Sequence, residues 1–423
     1  MSIFIILIFA LGYLAIALEH PLRLNKAASA LITGVLCWTA CVFWKGSDGV
    51  SEQLLHHLGE IASILFFLLG AMTIVELIDS HHGFDIIAEN ITTTSKSKFL
   101  LLITLLTFFI SALLDNLTTA IVMTSLCSKM LNDKEDKLWF AGMIVIAANS
   151  GGAWSPLGDV TTTMLWIGGQ ITALNIMKEL ILPSLVVCLL PVLIVAYRFK
   201  GKKMNSPSHE ETIKKGKGDS KIMLLTGIGF LVFVPAFKTV THLPPFMGML
   251  LALGLLWLIT TLLHKDKDPE HAEKYTVGTA LQKIDTPSIL FFLGILLAVA
   301  ALESIGVLKV LAASLSAALK NDYLIGTALG ILSAIVDNVP LVAATQGMYD
   351  LTSFPPDHPF WEFVALTTGT GGSIIIIGSA AGVAVMGIEE IDFMWYLKRI
   401  SLLALIGFAG GIGVYLLQIR LGW

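Results

Sequence analysis

Ser111-Ala112-Leu113-Leu114-Asp115-Asn116-Leu117-Thr118-Thr119 sets an acid, an amide and two hydroxyls inside the mostly apolar run 99–127. An ionisable side chain at bilayer depth costs at least about 2.5 kcal/mol, so it marks a functional site by default. The flanking segments 99–113 and 117–130 are too short or too broken to be simple spans, which need about 20 apolar residues. Two half-length helices joined at Asp115-Asn116 suit a re-entrant hairpin. Such non-helical backbone is tolerated in a membrane only where protein or a wet cavity surrounds it.

The pattern returns once. Ser333-Ala334 and Asp337-Asn338 repeat Ser111-Ala112 and Asp115-Asn116 at an offset of 222 residues, and Gly371-Gly372 with Gly378 repeat Gly151-Gly152 with Gly158 at an offset of 220. Upstream, Ile289-Leu290-Phe291-Phe292-Leu293 repeats Ile64-Leu65-Phe66-Phe67-Leu68 at an offset of 225. The ordinary recurrence of Gly and Leu in membrane helices would explain the last match alone. Three matches in one order at nearly one offset point to a duplication. Interrupted helices in corresponding positions of two halves are the signature of secondary transporters built from inverted repeats, with the binding site near the midplane.

Composition agrees, with 55% apolar and 14% charged residues in 423, the profile of a polytopic membrane protein. Apolar runs place spans near 2–18, 27–44, 59–79, 139–170 (interrupted), 177–197, 222–239, 245–264, 288–306, 360–388 (interrupted) and 399–418. A second short pair, 322–336 and 339–352, carries the repeated motif. The stretch 1–18 lacks a basic leader and a small-residue cleavage pattern, and reads as a retained first span. The fold class is therefore an all-α polytopic membrane protein of two inverted-topology repeats. Each repeat has about five crossings plus a re-entrant hairpin and an interrupted helix. The domains run 1–197, first repeat; 198–221, cytoplasmic linker; and 222–423, second repeat. With both short pairs re-entrant, loops 19–26, 80–98, 129–138, 198–221, 265–287 and 389–399 share one side and hold all but six of the 27 Lys and Arg. That bias marks the side as cytoplasmic and puts both termini outside.

The polar residues in the breaks select a chemistry. Asp115-Asn116 and Asp337-Asn338 can cap the second arm of each hairpin, and Pro340 suits a first helical turn. The first arms end in free carbonyls that carry the negative end of the helix dipole. In 149–163, three glycines and a proline within eight residues break the helix, and Asp159 caps its resumption. Asn149, Ser150, Thr161 and Thr162 offer oxygens around that gap, as do Thr370, Ser373 and Ser379 in the second half, where Ser379 stands in place of Asp159. Together with Thr118, Ser333 and Asn338, these oxygens around Asp115, Asp159 and Asp337 suit a small hard cation. No Lys or Arg falls within the four stretches. Protons and a metal cation competing for the same carboxylates would make an antiporter once access alternates.

Other residues divide between functional and ordinary roles. Glu76 is a candidate for proton access, with snorkelling to the interface as the alternative; Glu303 is a weaker one. His81 and His82 titrate in the physiological range but read as solvated loop residues. Cys37, Cys41, Cys127 and Cys188 read as small buried hydrophobes without metal-ligand spacing. No basic stripe suggests nucleic acid, and no cofactor motif is present. An anion or metalloid carrier of the same fold (dicarboxylate or arsenite type) would want basic residues or acid-free tips at the breaks. An intramembrane aspartyl protease would need two carboxylates sharing a proton, and leaves the duplication unexplained.

The runs 111–120, 149–163, 333–340 and 369–383 resemble the NhaD-type sodium/proton antiporters of the ion transporter superfamily, and the resemblance covers nearly the whole chain. It implies Na+ and Li+ as the exchanged cations. It also implies a scaffold domain and a transport domain carrying the hairpins, elevator-like movement, a homodimer, and a bacterial inner membrane or an organelle derived from one. The family's polar positions fall here on Asp115, Asn116, Thr118, Asn149, Asp159, Thr161, Thr162, Ser333, Asp337, Ser373 and Ser379.

Overall fold

The computed structural model describes residues 2–17, 19, 24–45, 49–86, 93–204, 217–265 and 273–422. Most of the expected linker, 205–216, lies outside the described residues, as do His20, Pro21 and Arg23. The first half comprises α1 (Ser2–Ala17), α2 (Lys26–Lys45), α3 (Val50–Ser80), α4 (Lys96–Ser111), α5 (Asn116–Met130), α6 (Lys134–Ala153), α7 (Val160–Ile167) and α8 (Ala173–Arg198). The second opens with α9 (Lys217–Thr241), α10 (Pro245–His264), α11 (Val277–Lys283), α12 (Thr286–Ser304) and α13 (Val307–Leu319). It closes with α14 (Asp322–Leu332), α15 (Asn338–Met348), α16 (Pro359–Gly371), a 3-10 turn at Ile376–Gly378, α17 (Ala380–Ile388), α18 (Phe393–Arg399) and α19 (Ser401–Leu421). Seven of these, α2, α3, α8, α9, α10, α12 and α19, are long and apolar enough to cross a membrane unaided. The protein is an all-helical, multi-pass membrane protein.

Hydropathy located the long helices and missed others. Helix α3 begins at Val50 rather than near 59, because backbone hydrogen bonding continues at no penalty where a helix leaves the bilayer. The short α11, α13 and α18 were not expected; at 7, 13 and 7 residues they fall below span length. Both interrupted spans are broken where glycines cluster, between Ala153 and Val160 and between Gly371 and Ala380.

The helices pack as two groups. Helices α1, α2, α3, α9, α10 and α12 lie against one another, and α4 to α8 lie with α14 to α19. Within the first group α2 and α12 cross with backbones touching: a Cβ on Gly34 would sit 2.6 Å from the Gly294 carbonyl oxygen, and one on Gly294 would sit 2.4 Å from Ala30 backbone. Small residues at such a crossing let van der Waals packing replace the hydrophobic drive that lipid cannot supply. Between the groups, α12 packs on α15. In addition, Lys238 of α9 donates to the Trp166 carbonyl at the end of α7 (2.7 Å), and its ammonium lies 4.6 Å from the Trp166 ring.

The basic loops meet at one end. Lys96 N–H donates to Lys202 O and Met204 N–H to Thr94 O, Lys283 pairs with Glu76, and Ser128 and Lys134 contact Glu389 and Glu390. A surface hollow is lined by Lys96, Met130, Asp136 and Lys203, so the first hairpin starts and ends at this basic end. The second hairpin does the reverse. Tyr323, near the start of α14, packs edge-on against Phe363, and Tyr349, just past α15, against Phe360. Both partners lie in the first turns of α16, beside the start of α8, where Asn175 bonds Glu362. Helix α8 then runs to Arg198, which bonds Glu135 at the basic end.

Candidate functional site

Asp159 is the N-cap of α7. Its Oδ1 accepts from the Thr161 N–H and the Thr161 hydroxyl, each at 2.8 Å. This satisfies one of the free donors of the resumed helix. The break is held open from outside: a Cβ on Gly158 would lie 2.4 Å from the Ser111 carbonyl oxygen, so the loop rests on the tip of the first hairpin. Only glycine permits that approach.

Two asparagines from the hairpin tips converge on the same carboxylate. Asn116, first residue of α5, donates through Nδ2 to Asp159 Oδ2 at 2.7 Å and to Asn149 Oδ1 at 3.0 Å. Asn338, first residue of α15, points Nδ2 at both oxygens of Asp159, at 3.3 and 3.4 Å. Asn149 of α6 donates in turn to Ser373 Oγ and Ser379 Oγ, each at 2.9 Å. The orientations form a chain with one logic. An ionised carboxylate only accepts, so it draws the amide N–H groups of Asn116 toward itself. Asn149 then presents its oxygen to Asn116 and its N–H groups to the serines. All of these residues are buried, Asp159 being 2% exposed.

The cluster thus joins Asn116, Asn149, Asp159, Thr161, Asn338, Ser373 and Ser379, four from the first half and three from the second. Asp115 and Asp337 stand at its edges as N-caps, Asp115 bonding Thr118 N–H (2.8 Å) and Oγ1 (2.6 Å), and Asp337 bonding Val339 N–H (3.1 Å). Four further candidates turn their hydroxyls to backbone instead: Ser150 to Ile146, Thr162 to Ser155, Ser333 to Thr368 and Thr370 to Leu366. Glu76 pairs with Lys283 at 3.2 Å and accepts from Ser80 at 2.9 Å, with no bond to the cluster.

The same contacts recur in both halves. Ser111 Oγ donates to Ala148 O at 2.6 Å, and Ser333 Oγ to Thr368 O at 2.7 Å. Gly151 lies against the Phe108 carbonyl and Gly371 against the Gly330 carbonyl; Gly158 rests on Ser111 and Gly378 on Ala334. Asp159 caps α7 as Ser379 caps α17. The carboxylate has no counterpart, and neither do its neighbours Asn149 and Thr161, whose places in the second half are taken by Gly369 and Ala381.

Two residues escaped the reading of the sequence. Tyr396 donates to the Ser373 carbonyl at 2.8 Å. Lys26 lines a cavity of about 290 Å³ together with Asp337 and Ser379. Neither residue belongs to a repeated motif, so no local signal was available. His81 is a correction: expected in solvent, it is 3% exposed. Its Nδ1 donates to Leu77 O at 2.6 Å, and its Nε2 lies 2.9 Å from His264 Nε2. Helix α3 runs on to Ser80, which carries the histidine against the end of α10. His82, by contrast, is exposed beside Asp85.

A buried acid and amide site enclosed by broken membrane helices suits a carrier, and known carriers are similar in sequence. The family model described as citrate transporter matches residues 6–369. The chain belongs to that family. Its relatives include sodium/proton antiporter 1 of Arabidopsis thaliana, 47% identical over 413 residues, covering 97% of this chain and 71% of that protein. Sodium/proton antiporter 2 of the same plant is 43% identical, with 97% and 98% covered. The Na(+)/H(+) antiporter NhaD of Vibrio cholerae is 33% identical, with 97% and 91% covered. Members of this family are transporters rather than enzymes.

Proposed function

We propose that this protein exchanges Na+, and Li+, for H+ across a membrane by alternating access, with cation and proton competing for the carboxylates at the hairpin tips and helix breaks. One observation carries this reading: Asp159 is buried among amides and hydroxyls drawn from both halves, and among the described residues no Lys or Arg bonds or ion-pairs with Asp115, Asp159 or Asp337. Neutral donors stabilise a carboxylate without cancelling its charge. A monovalent cation or a proton completes the balance, and mass action between the two gives exchange. The names of the relatives support the same reading.

In this proposal 1–197 and 222–423 are inverted repeats, supported by the opposite ends at which their hairpins begin and by the matched glycine and serine contacts. The packing group of α1, α2, α3, α9, α10 and α12 serves as scaffold, and the group holding the hairpins moves. The basic end faces the cytoplasm and both termini lie outside. The proposed setting, which rests on the resemblance of the motifs alone, is a homodimer in a bacterial inner membrane or in an organelle membrane of that descent.

The family's description favours a second reading, an anion carrier, and Lys26 beside the site gives it one structural argument. The same cavity also holds Glu19 and Asp337, so its formal charge stays negative. Everted vesicles decide: with an acid interior established, NaCl or LiCl collapses the gradient and a sodium-free citrate salt does not. The reverse pattern would establish the anion carrier.

Two substitutions probe the assignment in the same assay. Asn149→Ala removes the amide that joins the Asp159 carboxylate network to Ser373 and Ser379, leaving buried partners unpaired. At about 1 to 3 kcal/mol, the apparent KM for Na+ rises on the order of tenfold or more at matched protein level. Glu76→Gln breaks only a half-exposed pair with Lys283, worth about 1 kcal/mol or less, and leaves KM within about twofold. A large loss in the Glu76 variant would restore that residue as a participant.

A further inference from the structure

The cavity beside Asp337 crosses the boundary between the two packing groups. Tyr13 and Ile16 from the end of α1, Glu19, Lys26 from α2 and Phe291 from α12 form one wall. Asp337, Ser379, Val383 and Phe393 belong to the other. Ser379 is bonded to Asn149, so the cavity runs from Glu19 and Lys26 to the inner cluster. Lys26 and Phe291 lie near the starts of α2 and α12, the latter just after Lys283, which pairs with Glu76 at the basic end.

Lys26 is the only Lys or Arg lining this cavity among the described residues. Its ammonium rests over the Phe291 ring, 4.9 Å from the centroid, and it shares the cavity with Asp337. Among the described residues Asp337 accepts only the cap bond from the Val339 N–H, in contrast to Asp159 with its several donors. The group best placed to neutralise Asp337 in the absence of a transported ion is therefore on the opposite wall. A lysine suits this role, because its compact ammonium is a point charge on a flexible stem, able to swing between a ring face and a carboxylate.

We propose that the cavity is the route by which the transported cation reaches the site from the basic end, and that Lys26 is a tethered competitor for Asp337 which an entering monovalent cation displaces. This deepens the antiport reading and rests on it. Because Lys26 and Asp337 sit on different packing groups, the unloaded site is held against the scaffold by this attraction. Loading with Na+ or H+ neutralises Asp337 and releases it.

Removing the competitor strengthens apparent cation binding, an effect that misfolding does not produce. In everted vesicles, Lys26→Gln lowers the apparent KM for Na+ by about fivefold, the scale of one partly exposed ion pair, while Lys26→Arg stays near the parent value. A second measurement is independent of how well Lys26→Gln is produced. Val383→Cys, on the cavity wall, reacts with a membrane-impermeant maleimide applied from the basic side, and Na+ but not choline slows the reaction; the four native cysteines are buried. An unchanged or raised KM in Lys26→Gln, or Lys26→Arg behaving as Lys26→Gln, overturns the competitor. Labelling of Val383→Cys that is absent or indifferent to Na+ overturns the route. If the parent protein itself shows no response to Na+ or Li+, the antiport reading fails instead, and the two failures are distinct.

Discussion

Asp159→Asn abolishes cation exchange. The substitution keeps size and the Oδ1 acceptor for Thr161, but it replaces an acceptor oxygen with an NH2 group facing the amide of Asn116, which now donates at 2.7 Å. Two donors cannot share that contact, so Asn116 must turn, and Asn149 and the two serines beyond it lose their fixed orientation. The charge that offsets the cation is lost as well. Losing a charged, hydrogen-bonded acceptor in an enclosed site costs about 3 kcal/mol or more, on the order of a hundredfold in exchange. Na+- and Li+-driven gradient collapse in everted vesicles, at matched membrane content, reads this directly. Retention of more than about a tenth of the exchange would remove Asp159 from the centre of the site.

Gly371→Ala produces the largest loss of folded protein. A Cβ at this position meets the Gly330 carbonyl oxygen at 2.0 Å and its carbonyl carbon at 2.8 Å, both backbone atoms of α14 that no rotamer can move. The first arm of the second hairpin must separate from α16, which also strains the Ser333–Thr368 hydrogen bond. Overpacking a rigid core costs about 1–3 kcal/mol or more, and the melting temperature of the detergent-solubilised protein falls accordingly. Gly387→Ala is the control, since its Cβ would meet nothing within 4 Å; it leaves thermal stability near the parent. Equal melting of the two variants would mean that the hairpin does not rest on α16 as described.

The contrast between these glycines shows what the sequence could and could not convey. Gly371 and Gly151 stand in matching motifs, 38 residues after Ser333 and 40 after Ser111, and that near-equal spacing suggests a duplicated frame without any coordinates. The hairpins were legible for a simple reason: an acid flanked by two half-length apolar runs has few places to go in a bilayer. The inner arrangement of the site was less legible. Read in sequence, Asp115 and Asn116 are candidates alike for the cap and for the site. In the fold Asp115 is the cap, and Asn116 reaches the inner cluster. Adjacent residues at a helix start point in different directions, and spacing alone does not say which one faces the bundle. Asp159 gains its central place from Asn116 and Asn338, 43 and 179 residues away. Lys26 was invisible for the same reason, being brought to Asp337 by packing between helix groups rather than by any motif. His81 is buried because its helix runs on past the end of the apolar stretch, to Ser80.

Buried serines and threonines limited the reading in another way. Ser150, Thr162, Ser333 and Thr370 are the right residue types in the right stretches, yet each satisfies its hydroxyl on a nearby carbonyl. A hydroxyl in a membrane helix has that local option always open. Amides and carboxylates in the breaks were the better guides, because their groups need several partners and are seldom satisfied by their own helix.

The central claim is that cation and proton compete for one Asp159-centred set of carboxylates. Calorimetric titration of Na+ into the purified protein, repeated in buffers of differing ionisation enthalpy at one pH, tests it most directly by counting protons released on binding. The account predicts proton release on Na+ or Li+ binding by the parent protein, with both binding and release lost in Asp159→Asn. Cation binding without proton release, or release that persists unchanged in Asp159→Asn, would contradict it.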